Sequence, residues 1–379
     1  MARPNIRSLA RVHPHALFVA FALVCVMALG IWQVIAALGH VDFGKIPATL
    51  DDAREGRTTG ELQRGIERAM PWHDAMVATA NGIRFVLTRG AGEDVRLGRD
   101  GWLFLAAELR FPADATQSMR RRLALLERAN RALAARGVVL VVALVPDKTR
   151  VYARYLQEAN VPREHAARYA QALRELRARG VTVVDLLTPM GSAADREQVY
   201  YRADTHWNQA GARIAADAIA QAVKARGVEL PAARFRSRVA EESDAPADLV
   251  RLMGLEHAPP WLRPAADRER PIVTEEDADA KGSSLLGDFE IPVTLVGTSY
   301  SKRANFHGFL QEALGARVLN AARDAAGFIQ SANEYFQDEA FRSAPPRVVI
   351  WEVPERSLSE AAASAEDLPF DGTPAPPRP

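Results

Sequence analysis

A carboxylate and an imidazole lie two positions apart in the stretch Tyr200–Ala220, YYRADTHWNQAGARIAADAIA. Asp204 precedes His206, so its carboxylate can accept a hydrogen bond from one ring nitrogen and leave the other to act as a base. Asn208 is suited to cap the following helix, because its side chain can accept from an amide of the first turn. The pair is therefore predicted to lie in a loop braced by a packed helix. A structural histidine and a metal site are the alternatives.

A serine in a glycine turn is the possible partner of this base. GTSYS at 297–301 directly follows the apolar run 291–296. Such a turn can expose the Ser299 hydroxyl and aim backbone amides at a developing oxyanion. A hydroxyl is a poor nucleophile unless a base takes its proton, and His206 is the candidate base. Ser299, His206 and Asp204 would then form a Ser-His-Asp relay, although G-x-S alone is also typical of a structural turn.

Composition excludes several other kinds of site. The chain has 379 residues and a net charge of +1, so bulk charge gives no indication of nucleic-acid binding. The chain has a single cysteine, Cys25, and one cysteine excludes an internal disulfide and a cysteine-based metal cluster. No further histidine or cysteine cluster accompanies Asp204 and His206, so we predict neither a metal nor a cofactor.

The apolar run Ala16–Leu38 has no charged residue and is long enough to cross roughly 30 Å of hydrocarbon as a helix. It is predicted to be an uncleaved transmembrane anchor, with a cleavable signal peptide as the alternative. Arg3, Arg7 and Arg11 precede it without an acidic residue, so residues 1–15 are predicted to be cytoplasmic. The remainder would then lie outside, in the periplasm of a Gram-negative cell.

Apolar strands that alternate with amphipathic helices predict an α/β fold with a mostly parallel central sheet. A hairpin is also predicted, turning at Asp100-Gly101, because this dipeptide suits a turn that needs positive φ. The predicted elements are the hairpin at 96–105, strands at 138–145, 181–187, 291–296 and 347–353, and helices at 116–136, 163–179, 306–314 and 326–337.

Several motifs together resemble the alginate O-acetyltransferase AlgJ/AlgX family. They are GRDGWLFL at 98–105, VPDK at 145–148, DTHWNQAGA at 204–212, GTSYS at 297–301 and VIWEVPER at 349–356. The resemblance implies an SGNH-hydrolase-like fold, a three-layer α/β/α arrangement whose motif order is permuted because the nucleophile comes last. The Asp and His of D-x-H-W and the first Ser of G-T-S-Y-S are catalytic in that family, which implies these roles for Asp204, His206 and Ser299.

The resemblance also implies an activity and partners. We expect an inner-membrane protein that acetylates hydroxyls of alginate or a similar exopolysaccharide in the periplasm, through an acetyl-serine intermediate. An MBOAT-type membrane acyltransferase would supply the acetyl group. The anchor fits the AlgJ branch, and no room follows Arg356 for the carbohydrate-binding module of AlgX-type chains. By motif position, Gly297, Tyr300 and Lys148 are further candidates for substrate or oxyanion contact. A polysaccharide acetylesterase and a non-catalytic scaffold of an acetylation complex are the alternatives.

The predicted division of the chain follows from these features. Residues 39–94 form a linker and N-terminal helices, and residues 95–357 form the catalytic domain. Residues 228–290 lack sustained periodicity and are predicted to be an insertion in that domain. Residues 358–379 are rich in alanine, proline and acidic side chains, which predicts a disordered tail.

Overall fold

The computed structural model describes residues 14–70, 72–156, 163–277, 290–361 and 366–369. The chain divides into two compact units, Met1–Asn81 and Gly82–Pro379. The helices are α1 Pro14–Leu38, α2 Leu50–Arg54, α3 Arg57–Ala69, α4 His73–Thr88, α5 Ala115–Ala134, α6 Lys148–Val151, α7 Arg163–Ala178, α8 Leu187–Ala194, α9 Gln209–Ala225, α10 Asp248–Leu252, α11 Phe306–Leu314, α12 Gln330–Gln337 and α13 Glu339–Ser343. The strands are β1 Val95–Leu97, β2 Leu103–Leu105, β3 Val139–Val145, β4 Thr182–Asp185, β5 Phe235–Val239, β6 Ser243–Asp244, β7 Arg268–Glu269, β8 Ile272–Glu276, β9 Val293–Val296, β10 Val318–Asn320 and β11 Val348–Pro354.

A five-stranded parallel sheet forms the centre of the second unit. Its strand order is β10-β9-β11-β3-β4, and every neighbouring pair is parallel. Val348 of β11 pairs with Val139 of β3 on one side and with Val293 of β9 on the other. The residues that follow these strands therefore meet at one edge of the sheet, which is where open α/β sheets place their ligand sites.

Helices cover both faces of this sheet. Successive side chains of β3 pack alternately against the helices on one face and on the other. Val141, Ala143 and Val145 pack in a core with α9 and α11, whereas Leu140 and Val142 pack with α5, α7 and α12. Because successive side chains of a strand point to opposite faces, β3 must be apolar throughout to be covered on both. The predicted three-layer α/β/α architecture is thus confirmed.

The strands predicted from apolar runs are confirmed as β3, β4, β9 and β11, and the hairpin is confirmed as β1 and β2. Its turn residues have positive φ, 53° at Asp100 and 77° at Gly101. The edge strand β10 was not predicted, because three residues are too few to establish a periodicity.

The region predicted to be an insertion contains regular structure within its described part. β5 pairs with β8 and β6 pairs with β7, both antiparallel, and the short helix α10 lies between β6 and β7 in the chain. Residues 278–289 lie outside the described residues.

The prediction of a disordered tail from residue 358 is wrong for part of that segment. Glu366 accepts hydrogen bonds of 2.6 and 2.9 Å from the buried guanidinium of Arg122, and Leu368 is 4% exposed in the core. The composition suggested a solvated segment, but a buried guanidinium needs a carboxylate partner, and Glu366 supplies it. Residues 362–365 and 370–379 lie outside the described residues.

The N-terminal helix α1 contains the segment Phe18–Leu38, which is long and apolar enough to cross a membrane. A signal sequence passes the same test of length and composition, so the helix is either a membrane anchor or a signal. Of residues 1–15, which were predicted to be cytoplasmic, residues 1–13 lie outside the described part of the chain.

Candidate active site

The serine turn begins where β9 ends, and a buried carboxylate of the neighbouring strand β11 holds it. The Thr298 amide donates to Glu352 Oε2 at 2.6 Å, and Ser301 Oγ donates to the same oxygen at 3.1 Å. A Cβ at Gly297 would lie 2.5 Å from that oxygen, so only glycine fits at this position. Burial raises the pKa of Glu352. The turn leaves Ser299 half-buried at the carboxyl edge of the sheet.

The Asp204–His206 loop is fixed by the helix that follows it. Asn208 is the N-cap of α9, as predicted, and its side chain accepts from the Gly211 amide at 3.1 Å. Trp207 is fully buried and packs against the ring of Tyr300 with centroids 5.0 Å apart. The loop and the serine turn are therefore joined through the core as well as through the site.

The structure brings the three predicted side chains together. Ser299 Oγ lies 2.7 Å from His206 Nε2, and His206 Nδ1 lies 2.6 Å from Asp204 Oδ1. The His206 amide also donates to Asp204 Oδ1 at 2.9 Å. Asp204 and His206 are 2% and 6% exposed. With Nδ1 protonated and donating to the carboxylate, Nε2 is an acceptor directed at the serine hydroxyl, which is the geometry of a nucleophile and its base.

A second carboxylate, Asp248, lies beside this relay and was not predicted. Its amide donates to Asp204 Oδ2 at 2.8 Å, and its Oδ1 accepts from the Thr205 amide at 2.7 Å. Its Oδ2 lies 3.6 Å from His206 Nδ1. Asp248 belongs to the predicted insertion, where no motif or periodicity marks it, so the sequence offered no signal for its role.

The two carboxylates differ in their protonation behaviour. Burial alone would raise the pKa of Asp204, but the hydrogen bond and positive charge of His206 lower it to about 2. The pKa of Asp248 is raised, first by burial and then by the charge of Asp204. Asp204 is therefore the partner that stays ionised and stabilises a positive imidazole.

Asp204, His206 and Asp248 place three potential ligand atoms within 4.8 Å of one another, so a metal site must be considered. The nitrogen that would bind the ion is His206 Nδ1, which lies at hydrogen-bond distance from Asp204 Oδ1. Both Asp204 oxygens also accept backbone amides, from His206 and Asp248. Two ligands each about 2.0–2.2 Å from a zinc ion stand farther apart than the 2.6 Å seen here. The donor set fits a hydrogen-bonded relay better than a metal.

Lys148 lies beneath the site rather than in the cleft. Its ammonium is fully buried and donates to the carbonyl oxygens of Leu103, Arg202 and Asp204 at 2.6, 2.9 and 2.9 Å. Burial lowers the pKa of Lys148 to about 8. All three donors of the ammonium are used, so Lys148 positions the Asp204 loop and has no N–H left for a substrate.

Tyr300 and Gly297 also support the site from below. The Tyr300 hydroxyl donates to the Thr205 carbonyl at 3.0 Å, and its fully buried ring packs edge-on against His206 with centroids 4.8 Å apart. Neither residue lines the cleft that contains Ser299. The three positions suggested as substrate or oxyanion contacts therefore serve to hold the loop and the turn.

A cleft of about 410 Å³ lies over the relay. Among its lining residues are Asp204, His206, Asp248, Arg251, Ser299 and Arg356. A larger cavity of about 800 Å³, lined in part by the β1–β2 hairpin, contains none of the three relay side chains. We take the smaller cleft as the candidate site, because of these two cavities it is the one lined by a hydroxyl in contact with a base.

The parallel sheet and the relay at its carboxyl edge define an SGNH-hydrolase-like protein. The chain belongs to the family of SGNH hydrolase-like domains described as acetyltransferase AlgX, whose model matches residues 95–355. The probable alginate O-acetylase AlgJ of Pseudomonas putida is 39% identical over 272 residues, which are 70% of each chain. The corresponding AlgJ of Pseudomonas aeruginosa is 34% identical over 279 residues, 71% of each chain.

The similar solved structures include two that are more than 25% identical to this chain. The O-acetyltransferase domain of Pseudomonas putida AlgJ has a TM-score of 0.64 and 37% identity, over 70% of this chain and 92% of that one. Pseudomonas aeruginosa AlgX has a TM-score of 0.54 and 26% identity, over 73% of this chain and 65% of that one. The family predicted from the motifs is confirmed, and the chain is an acetyltransferase.

Proposed function

We propose that this protein transfers acetyl groups to hydroxyls of an exopolysaccharide through an acetyl-Ser299 intermediate. The observation that carries the proposal is the continuous chain of contacts from Ser299 Oγ through His206 to Asp204, at 2.7 and 2.6 Å. Alginate is the first candidate for the acceptor, because the relatives are named as alginate O-acetylases.

The reaction has two steps. His206 Nε2 takes the proton of Ser299 as its oxygen attacks the donor's acetyl carbonyl, and the proton is then given to the leaving group. In the second step His206 takes the proton of a sugar hydroxyl as the sugar oxygen attacks the acetyl carbonyl of acetyl-Ser299. The bond from that carbonyl to the Ser299 oxygen then breaks, and His206 returns the proton to the serine. Asp204 holds the tautomer and stabilises the imidazolium in both steps. The Ser299 amide, at the start of the turn, is a suitable donor to the oxyanion.

Transfer and hydrolysis differ only in whether a sugar or water attacks the acetyl-enzyme. Full-length protein in detergent, given an uncharged acetyl ester as donor, is expected to acetylate a mannuronate hexamer and to release less free acetate when the hexamer is present. Mass spectrometry of the sugar and an acetate assay give the two yields. Release of free acetate alone, at any hexamer concentration, would show that the protein is an esterase.

We further propose that α1 anchors the protein in the inner membrane, with the catalytic unit in the periplasm. The segment Phe18–Leu38 supports an anchor, and Arg3, Arg7 and Arg11 support a cytoplasmic N-terminus. An MBOAT-type membrane acyltransferase is the proposed source of acetyl groups. Alkaline phosphatase fused after Pro379 is expected to be active, since that enzyme works only outside the cytoplasm. An inactive but stable fusion would overturn this topology.

A further inference from the structure

One wall of the cleft is formed by residues of the segment 246–256, which contains α10. Two backbone amides in the first turn of α10 donate hydrogen bonds to the relay loop. The Asp248 amide donates to Asp204 Oδ2 at 2.8 Å, and the Leu249 amide donates to the Ala203 carbonyl at 3.2 Å. Leu249 is also fully buried. The wall is therefore held at a fixed place relative to the nucleophile and its base.

Arg251 lies on this wall, one helical turn after Asp248, and lines the cleft. Its side chain is exposed, and within the described residues no carboxylate forms an ion pair with it. The other two arginines of the cleft have nearby carboxylates: Arg303 lies 3.9 Å from Asp324, and Arg356 lies 3.7 Å from Glu360. Among the described residues, Arg251 is thus the cleft arginine that is exposed and has no ion pair.

We propose that Arg251, held beside the relay by the anchoring of α10, binds the carboxylate of a uronate residue in the acceptor chain and so makes the cleft specific for acidic polysaccharides. A guanidinium forms two parallel hydrogen bonds to a carboxylate. These bonds strengthen the binding of the sugar and also fix its orientation. A neutral glucan offers no such group. This inference rests on the proposed acetyl transfer and names the class of sugar that the same site accepts.

Replacing Glu256 is expected to change the KM in the opposite direction to replacing Arg251. Glu256 also lines the cleft, and within the described residues its carboxylate has no ion pair. Because like charges repel, Glu256 should weaken the binding of a uronate chain, whereas Arg251 strengthens it. Glu256→Gln is therefore expected to lower the KM for an acidic acceptor, and Arg251→Gln is expected to raise it.

The experiment compares a mannuronate hexamer with the neutral cellohexaose as acceptors for full-length protein in detergent, with an uncharged acetyl ester as donor. Arg251→Gln is expected to raise the KM for the mannuronate hexamer about tenfold, with kcat at saturation within about twofold of the parent. The KM for cellohexaose should not change. The difference in KM between Arg251→Gln and the parent for the mannuronate hexamer should become smaller at high salt. Arg251→Lys keeps the positive charge but loses the planar guanidinium. Its KM for the mannuronate hexamer should lie between that of the parent and that of Arg251→Gln.

Arg270→Gln is the matched control, because Arg270 is exposed in the same region of the chain but does not line the cleft. It is expected to behave as the parent with both acceptors. An unchanged KM for the mannuronate hexamer in Arg251→Gln would overturn the proposal, as would an equal rise for cellohexaose, which would indicate a structural effect.

Calorimetric titration of the mannuronate hexamer separates this inference from the proposed function. If the parent protein transfers no acetyl group to either sugar, the proposed function fails, but binding can still be compared. The inference then requires that Arg251→Gln weakens binding of the hexamer about tenfold. Failure of the parent to bind it, or equal binding by both proteins, would refute the role of Arg251.

Discussion

Replacing Ser299 with alanine is expected to lower the rate of acetyl transfer about a thousandfold or more, because the change removes the atom that carries the acetyl group. The protein should remain folded. The Ser299 hydroxyl contacts His206 at 2.7 Å and is only half-buried, so its loss should cost no more than about 1 kcal/mol of stability. Acetylated sugar is measured by mass spectrometry, and folding is measured by thermal unfolding.

Ser301→Ala is the matched control for this substitution. Ser301 lies in the same turn, but it is fully buried and donates to Glu352 rather than to the imidazole. Because the Thr298 amide still donates to Glu352, the turn should persist and transfer should stay within about tenfold of the parent. If Ser299→Ala retained transfer comparable to that of the Ser301→Ala protein, Ser299 would not be the nucleophile.

Replacing Lys148 with methionine is expected to destabilise the second unit by about 2–6 kcal/mol. Methionine matches the length of the lysine stem but leaves the buried carbonyls of Leu103 and Asp204 without this donor, at about 1–3 kcal/mol for each. The Arg202 carbonyl keeps the Leu103 amide as a donor at 2.9 Å. The ammonium also lies 5.3 Å from the centroid of the Trp102 ring, a cation–π contact that methionine cannot make.

Chemical unfolding followed by tryptophan fluorescence measures this effect, with Lys224→Met as the control. Lys224 is an exposed lysine that donates to a single carbonyl, that of Ala313, so its replacement should cost less than about 1 kcal/mol. Lys148→Met should also lower kcat, because the Asp204 carbonyl that it releases belongs to the relay loop. A Lys148→Met protein as stable as the Lys224→Met control would contradict this positioning role.

The sequence was most informative where the interactions are local. Asp204 and His206 are two residues apart and Asn208 caps the next helix, so their contacts follow from spacing alone. The apolar runs at β3 and β9 contain no polar side chain that would mark a solvent-exposed face, apart from threonine. Their composition therefore predicts strands that are covered on both faces, as the structure has them. The convergence of Ser299 with His206 could be inferred, because the turn follows a predicted parallel strand.

Contacts between distant segments were harder to predict. Asp248 reaches the relay from a segment without periodicity, so no local pattern marks it. Glu352 did give a signal, since a charged residue inside the otherwise apolar strand β11 must be paired when it is buried. Lys148 was expected by motif position to contact substrate or an oxyanion, but its ammonium donates to three backbone carbonyls below the cleft. The Lys148 side chain points toward the loop carbonyls and away from the cleft. This orientation depends on tertiary packing, which cannot be read from a local sequence pattern.

The covalent state of Ser299 during turnover tests the central claim most directly. Full-length protein is incubated with an uncharged acetyl ester, quenched in acid and digested, and the peptides are analysed by mass spectrometry. We expect one acetyl group on Ser299, which disappears when a mannuronate hexamer is added as acceptor and is absent from the Ser299→Ala protein. Acetyl transfer that proceeds without any acetyl group on Ser299, or with the group on another side chain, would contradict the account.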